Sequence, residues 1–377
     1  MYIHEKRCEN LEQNVFIIGA TGKVGRRLIS QIFEKEDTSS LRHSHPTTIL
    51  GLASSTEYLY SGEGIDEKNA ILFSKKRIDG KRYSGIEDIL KVLRRSSKSI
   101  SVIDVTASAD MLELHRGIID GTRHKVVTAN KAPLAVCDFD TFQTLTSKTQ
   151  RYGFRCSVMA GAEAVDKLRD LCDLGDTPVR IEGSFSGTLG FITTELQKGK
   201  RFSYAVREAA RLGYTEPNPA SDLDGSDVAR KILILSRTAG FRVNLEDVKI
   251  TPFVPKGYLL ESDPEKFLKS MERLDEGFRK RMESALKRGK TLRYVACADA
   301  SGDQLRIKAG LESVDLMSPL GQLLGTANKI VIITKTYGKG YYSVEAPGAG
   351  IDITAQNIRR DLLYQLEERQ VAQPEKK

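Results

Sequence analysis

NVFIIGATGKVGRRLISQIF, Asn14–Phe33, is the stretch on which the fold turns. Val15 to Ile18 form a short apolar run of the kind that makes a fully buried strand. Gly19, Gly22 and Gly25 follow at G-x-x-G-x-x-G spacing, and Leu28, Ile29 and Ile32 then recur along a helix. A glycine pattern alone is a weak signal, but this one follows a strand and opens a helix. In that context glycines let the backbone approach a pyrophosphate, and the helix N-terminus offers amide donors and a favourable dipole. Gly19, Thr21, Gly22, Val24 and Gly25 are therefore candidate cofactor-binding residues.

Outward from this stretch the pattern repeats. TTILGLAS (Thr47–Ser54), SISVIDVTAS (Ser99–Ser108) and HKVVTAN (His124–Asn130) read as further strands, with a helix around Met111–Asp120 between the last two. Strands alternating with helices predict an α/β fold, a Rossmann-type doubly wound parallel sheet, over residues 1–152. Such sheets bind ligands past their strand C-termini, which adds Ser54, Thr106, Ala107 and Lys131 to the candidates. The second strand ends in Ala53, Ser54 and Ser55, with no acid to repel a 2′-phosphate, and Lys23, Arg26 and Arg27 are near in sequence. NADP is accordingly expected to serve at least as well as NAD.

Past residue 152 the pattern changes to an α+β arrangement, read as a substrate-binding and dimerisation domain over 153–346. Helices are expected over Ala162–Cys172, with Glu163 in the first turn, over Ser203–Leu212, and over a charged Pro264–Lys287. Strands are expected at Val179–Phe185, Asp247–Val254, within Thr291–Val314, and at Lys329–Thr336 and Tyr341–Ala346, the middle ones antiparallel. At the centre lies GYTEPNPASDLDGSDVARKILILSR, Gly213–Arg237: turn chemistry, then a nearly all-apolar helix from Ser226. Asp227 and Lys231 sit i, i+4 on that helix and so share a face. Charges on a buried helix need a partner, and a structural ion pair would suffice. Glu216, Asp222 and Asp224 just upstream favour a different reading, a lysine among carboxylates that gives and takes a proton near neutral pH. Residues 347–377 are expected to form a final helix, Thr354–Glu367, returning to the first domain, and a disordered charged tail.

Composition narrows the function classes. The net charge of +8 raises nucleic acid as a partner, but the basic residues are dispersed and no binding module is recognisable, so none is expected. No apolar run approaches the roughly 20 residues of a membrane span, and MYIHEKRCEN lacks a secretory core. Five scattered cysteines (8, 137, 156, 172, 297) suit reduced thiols in the cytoplasm. His43 and His45 have no neighbouring ligand types that would complete a metal site.

With these pieces assembled, the chain resembles the homoserine dehydrogenases from Val15 to about Leu363. The segments that carry the resemblance are VVTANKAPLA (Val126–Ala135), IEGSFSGTLGFI (Ile181–Ile192), LGYTEPNPASDLDGSDVARK (Leu212–Lys231), TLRYV (Thr291–Val295) and GAGIDITA (Gly348–Ala355). The resemblance implies reduction of aspartate β-semialdehyde to homoserine with NADH or NADPH. It further implies Lys231 as proton donor, Asp227 as its supporting carboxylate, and Lys131 as a second lysine near nicotinamide and substrate. Glu216 would bind the substrate's amino group, with Asp222, Thr188 and Tyr214 lining the pocket, and Thr106 and Gly350 would touch the cofactor. A homodimer through the second domain's sheet is implied too. No aspartate kinase or C-terminal regulatory domain is expected, and hence no response to threonine.

Departures from the resemblance shape other expectations. The loop GATGKVG is one residue longer than usual, and Val158–Glu163 reads VMAGAE where V-G-A-G-L-P is common. Arg155 stands where a glutamate is usual. The family's monovalent-cation cradle of backbone carbonyls would fall at Val158, Ala160 and Ala162. A guanidinium about 6 Å away would oppose sodium or potassium by roughly 3 kcal/mol at an effective dielectric near 20, so a weak or empty site is expected. Two alternatives stay open, a paralogue acting on another small carbonyl-bearing amino acid and a catalytically silent nucleotide-binding subunit.

Overall fold

The computed structural model describes residues 13–366; Cys8 and the tail expected to be disordered lie outside them. The chain divides into two compact units, one running through Cys156 and resuming at Ile351, the other spanning Ser157–Gly350.

The first unit is built on a seven-stranded sheet, β1 (Gln13–Ile18), β2 (Thr47–Ala53), β3 (Glu57–Tyr60), β4 (Lys81–Arg82), β5 (Ile100–Asp104), β6 (Lys125–Thr128) and β7 (Tyr152–Gly153), in the order 4-3-2-1-5-6-7. β2, β1, β5, β6 and β7 are mutually parallel, and the order reverses between β1 and β5. This is the doubly wound Rossmann-type arrangement, with its switch point beside β1. Register aligns the strand ends: Ile18 pairs with Ala53 on one side and Asp104 on the other, and Asp104 pairs with Thr128. Helices α1 (Lys23–Glu34), α2 (Glu67–Ser74), α3 (Ile86–Arg95), α4 (Met111–Gly121), α5 (Ala132–Val136) and α6 (Phe139–Thr146) connect the strands. Every residue of β1 is buried, and Leu28, Ile29 and Ile32 of α1 share a core with Ala355, Ile358 and Leu362 of the C-terminal helix, Ile351–Tyr364. Burying such a side chain stabilises by roughly 1.5–3 kcal/mol.

The second unit carries β8 (Pro178–Ser184), β9 (Val248–Ile250), β10 (Lys290–Asp299), β11 (Arg306–Asp315), β12 (Ala327–Thr334) and β13 (Tyr342–Pro347), in the order 13-12-8-10-11-9. Its helices are α7 (Ala164–Asp173), α8 (Gly187–Gln197), α9 (Phe202–Arg211), α10 (Ala220–Leu223), α11 (Ser226–Thr238), α12 (Pro264–Ser270) and α13 (Asp275–Leu286). α8, α11 and α13 all pack on β10. Arg293 of β10, 1% exposed, donates to Gln197 Oε1 and to the carbonyls of Leu292, Gly321 and Leu323. Burial lowers its pKa to about 10. The TLRYV segment thus owes its arginine to fixing the loop before β12.

Several expected elements are corrected. The antiparallel β3 and β4 at the sheet edge are not read from the sequence, being too short for a periodic signal. β9 pairs parallel to β11, whereas an antiparallel strand was expected. The helix expected over Pro264–Lys287 breaks into a 3₁₀ turn at Met271–Leu274. That turn buries Met271 and aims Asp275 at α9, where its carboxylate accepts from Ser203 N (2.7 Å) and Ser203 Oγ (2.9 Å). Glu163 occupies the position preceding α7 without a capping hydrogen bond, and Asp166 is the acid in the first turn.

Arg155 is engaged within the first unit. Its guanidinium pairs with Asp361, which is fully buried, and lies 3.9 Å from the centroid of the Tyr364 ring. Breaking a buried pair by removing one partner costs about 3–5 kcal/mol. Arg155→Met is therefore expected to lower the thermal unfolding midpoint by several degrees in calorimetry, and Arg155→Lys by less; an unchanged midpoint in the methionine variant contradicts the pairing.

Candidate active site

In the first unit, the loops that follow β1, β2 and β5 meet around the switch point. Gly19 has φ +87, and its amide and that of Ala20 both donate to Ala53 O at 2.9 Å. A Cβ at Gly25 would lie 2.2 Å from Gly19 O, so only glycine lets α1 start this close to the turn. Gly22 is the helix's N-cap residue, Thr106 Cγ2 would lie 3.2 Å from a Cβ on Gly19, and Ala107 is exposed in the next loop. Val24 instead packs against the core. These features fit a dinucleotide: a cradle that any Cβ would fill, and an uncapped helix N-terminus facing it. Lys131, half-buried, is the N-cap residue of α5 just past β6.

A cleft of ≈ 230 Å³ opens past β2, lined by Thr21, Ser54, Ser55, Thr56, Glu57, Lys76 and Asp79, among others. The cation here is Lys76, at the end of α2 with φ +55. Of the basic residues suggested by sequence, Arg27 is tied to Glu34 (2.8 Å) and Asp352 (2.5 Å), and Arg26 Nε donates to Thr21 O. Lys76 is missed because it is distant from the strand end in sequence. Acids also line the cleft, although none occurs at the strand end itself: Glu57 accepts from the Gly80 amide at 3.3 Å and lies 3.9 Å from Arg82.

In the second unit, Lys231 projects from α11 and is 8% exposed. Its Nζ donates to Phe185 O at 2.6 Å and lies 2.8 Å from Asp227 Oδ2. Phe185 directly precedes the Ser186-Gly187-Thr188 start of α8, which brings the lysine beside the Thr188 cluster. Thr188 Oγ1 lies 2.5 Å from Tyr214 O and 3.1 Å from Asp222 Oδ1, while Asp222 Oδ2 accepts from Glu216 N at 2.9 Å. The single Thr188 hydroxyl hydrogen therefore faces two acceptors. Burial pushes the Asp222 carboxyl up, opposed by the Glu216 amide and Thr188 hydroxyl and reinforced by the charges of Glu216 and Asp227. Thr188, Tyr214, Glu216, Asp222, Asp227 and Lys231 are thus brought together. Asp224 is not a pocket acid in the same sense, since its Oδ1 caps α11 through Ser226 N at 2.7 Å. Gly225 sits at φ +80 with Tyr294 OH 2.0 Å from where a Cβ would be, which fixes the entry into α11.

Gly350, at φ +149, closes the second unit. A side chain at nearby Gly348 would meet the Asn328 amide, so that loop is glycine-rich for packing reasons. In the segment Met159-Ala160-Gly161 all three residues have positive φ, +52, +51 and +89. Such a turn costs of order 1–3 kcal/mol for each non-glycine residue.

The fold is of the α/β class with a Rossmann-type first unit, and the two clusters are its candidate site. The family profile described as homoserine dehydrogenase matches residues 164–363, and the chain belongs to the homoserine dehydrogenase family. The homoserine dehydrogenase of Schizosaccharomyces pombe is 29% identical over 360 residues, covering 93% of this chain and 94% of that protein. Bifunctional aspartokinase/homoserine dehydrogenases, among them that of Buchnera aphidicola at 31% identity, also match, and the chain spans 38–45% of their length. Among solved structures, a Candida auris protein of unknown function superposes with a TM-score of 0.84 at 27% identity, covering 95% of this chain and 99% of that one. A hyperthermophilic archaeal homoserine dehydrogenase in complex with NADPH gives 0.69 at 22% identity, with 93% and 97% covered, a likeness of fold.

The cleft past β2 generates a test. Lys76→Ala is expected to weaken NADPH binding about tenfold, or 1.4 kcal/mol, while changing NADH binding by less than about twofold. Equal effects on the two nucleotides in a fluorescence titration would remove Lys76 from the 2′-phosphate subsite.

Proposed function

We propose that the chain reduces L-aspartate 4-semialdehyde to L-homoserine with NADPH or NADH. The observation that carries this reading is the buried Lys231, held by Phe185 O and Asp227 beside the Thr188–Asp222 cluster. Family membership and the NADPH bound by the archaeal protein of the same fold support it.

The bound nucleotide supplies a hydride to the aldehyde carbon. The chain's own residues must then hold the substrate and handle the oxygen. Lys231, as an ammonium, stabilises charge developing on that oxygen and delivers the proton, a role worth about 10²–10⁴-fold in rate. Asp227 orients Nζ; Glu216 suits the substrate's ammonium group, with Asp222, Thr188 and Tyr214 shaping the pocket. Lys131, just past β6, is proposed as the second lysine, near the nicotinamide. Gly19, Thr21, Gly22, Gly25, Ser54, Thr106, Ala107 and Gly350 are proposed as nucleotide contacts.

The residues suit a monovalent cation poorly, though not for the reason expected from Arg155. Asp361 compensates that guanidinium inside the first unit, which removes most of the anticipated repulsion. Instead, Val158 O already accepts from Gly161 N (3.1 Å) and Ala162 O from Ala164 N (2.5 Å), so each carbonyl has only one lone pair left to offer a cation. We therefore propose no step through a cation and expect turnover in tetramethylammonium buffer to rise less than about twofold when potassium is added at matched ionic strength. Several-fold saturable activation by potassium would contradict this.

A cytoplasmic location and a homodimer complete the proposal. No described helix is long and apolar enough to cross a membrane.

The activity is tested by absorbance at 340 nm. NADPH should be consumed only with the semialdehyde, and NADP reduced only with homoserine. Nucleotide binding without turnover in either direction would overturn the assignment.

A further inference from the structure

Asp104, at the end of β5, is fully buried beside the nucleotide-binding loops, and the mechanism above does not use it. Its Oδ1 accepts from Thr106 N at 2.9 Å and its Oδ2 from Asn130 Nδ2 at 3.0 Å. The same Asn130 nitrogen reaches Thr106 Oγ1 (3.1 Å) and Ser108 O (2.7 Å), while Asn130 Oδ1 accepts from Ala132 N at 3.0 Å. One carboxylate and one amide thus tie the loop after β5 to the loop that carries Lys131.

Behind Asp104 stands His115 of α4, also fully buried, with Nε2 3.2 Å from Asp104 Oδ2. The contact falls short of hydrogen-bond alignment, so it is the ring's N–H dipole that faces the carboxylate. His115 Nδ1 lies 2.8 Å from the hydroxyl of Tyr152, which is itself fully buried on β7. Burial pushes the Asp104 carboxyl up, but the contact with His115, the histidine's charge and the Thr106 amide outweigh it and hold it below its ordinary value. Burial, with Asp104 nearby, holds the Tyr152 phenol well above its own, so it stays a neutral hydroxyl. A buried carboxylate stripped of its histidine either takes up a proton, and loses acceptor capacity toward Thr106 N or Asn130 Nδ2, or draws in water by parting the loops.

We propose that His115 is a positioning residue for the nucleotide site: through Asp104 it holds the Thr106 and Lys131 loops in the form that accepts the nicotinamide half of the cofactor. Tyr152 orients its ring. The proposal rests on the nucleotide-dependent reading above, but its measurement is of binding and does not require turnover.

The test compares His115→Leu, His115→Gln and Tyr152→Phe with the wild type for NADPH dissociation constant by fluorescence and for the KM of each substrate. His115→Leu is expected to weaken NADPH about tenfold or more, with the semialdehyde KM at saturating nucleotide within about twofold. Glutamine, which offers an N–H at similar reach, should recover most of that loss, and Tyr152→Phe should cost about threefold. A folded leucine variant with wild-type NADPH affinity overturns the proposal, as does a glutamine variant no better than leucine. Should the leucine variant fail to fold, Tyr152→Phe decides: unchanged NADPH affinity there refutes the positioning role. Wild-type protein that binds NADPH without reducing the semialdehyde would refute the activity alone.

Discussion

The contact of Lys231 Nζ with Phe185 O and Asp227 is the constraint on which the chemistry proposed for the second unit depends. An ammonium that is 8% exposed is tolerable only when paired and hydrogen-bonded, and here the turn after β8 and the lysine's own helix supply the partners. Much nearby structure follows from that need. Gly225 lets α11 begin tightly against Tyr294, Asp224 caps it, and Val228, Ile232 and Leu235 bury it. The Phe185 carbonyl is available because β8 ends at Ser184 and the chain turns into α8.

The first unit meets a different physical demand, the one proposed for it of binding a polyanion with backbone groups. Its solution is to keep side chains out of the turn after β1, as Gly19 and Gly25 do, and to lock the adjacent loops with buried polar groups. Asp104 and Asn130 perform that locking on the β5 and β6 side. Arg155, Asp361 and Tyr364 fasten the C-terminal helix into the same unit.

The parts of this architecture that were legible in the sequence are those with a local signal. The strand–glycine–helix pattern of Asn14–Phe33 gave the doubly wound sheet, and the i, i+4 placement of Asp227 and Lys231 survives as a 2.8 Å ion pair. What stayed hidden depends on distant pairings. Lys76 reaches the cleft past β2 from the end of α2, and Asp104 meets His115 and Tyr152 from three separate elements. β9 is three residues long, too short for periodicity to declare its direction. Arg155 read as an opposing charge because its partner, Asp361, lies 206 positions away.

Proton donation by Lys231 is measured most directly by kcat for Lys231→Ala beside its NADPH dissociation constant. A loss in kcat of about 10²–10⁴-fold is expected, with NADPH affinity within about twofold of the wild type. A folded variant that keeps more than about a tenth of wild-type kcat would contradict it.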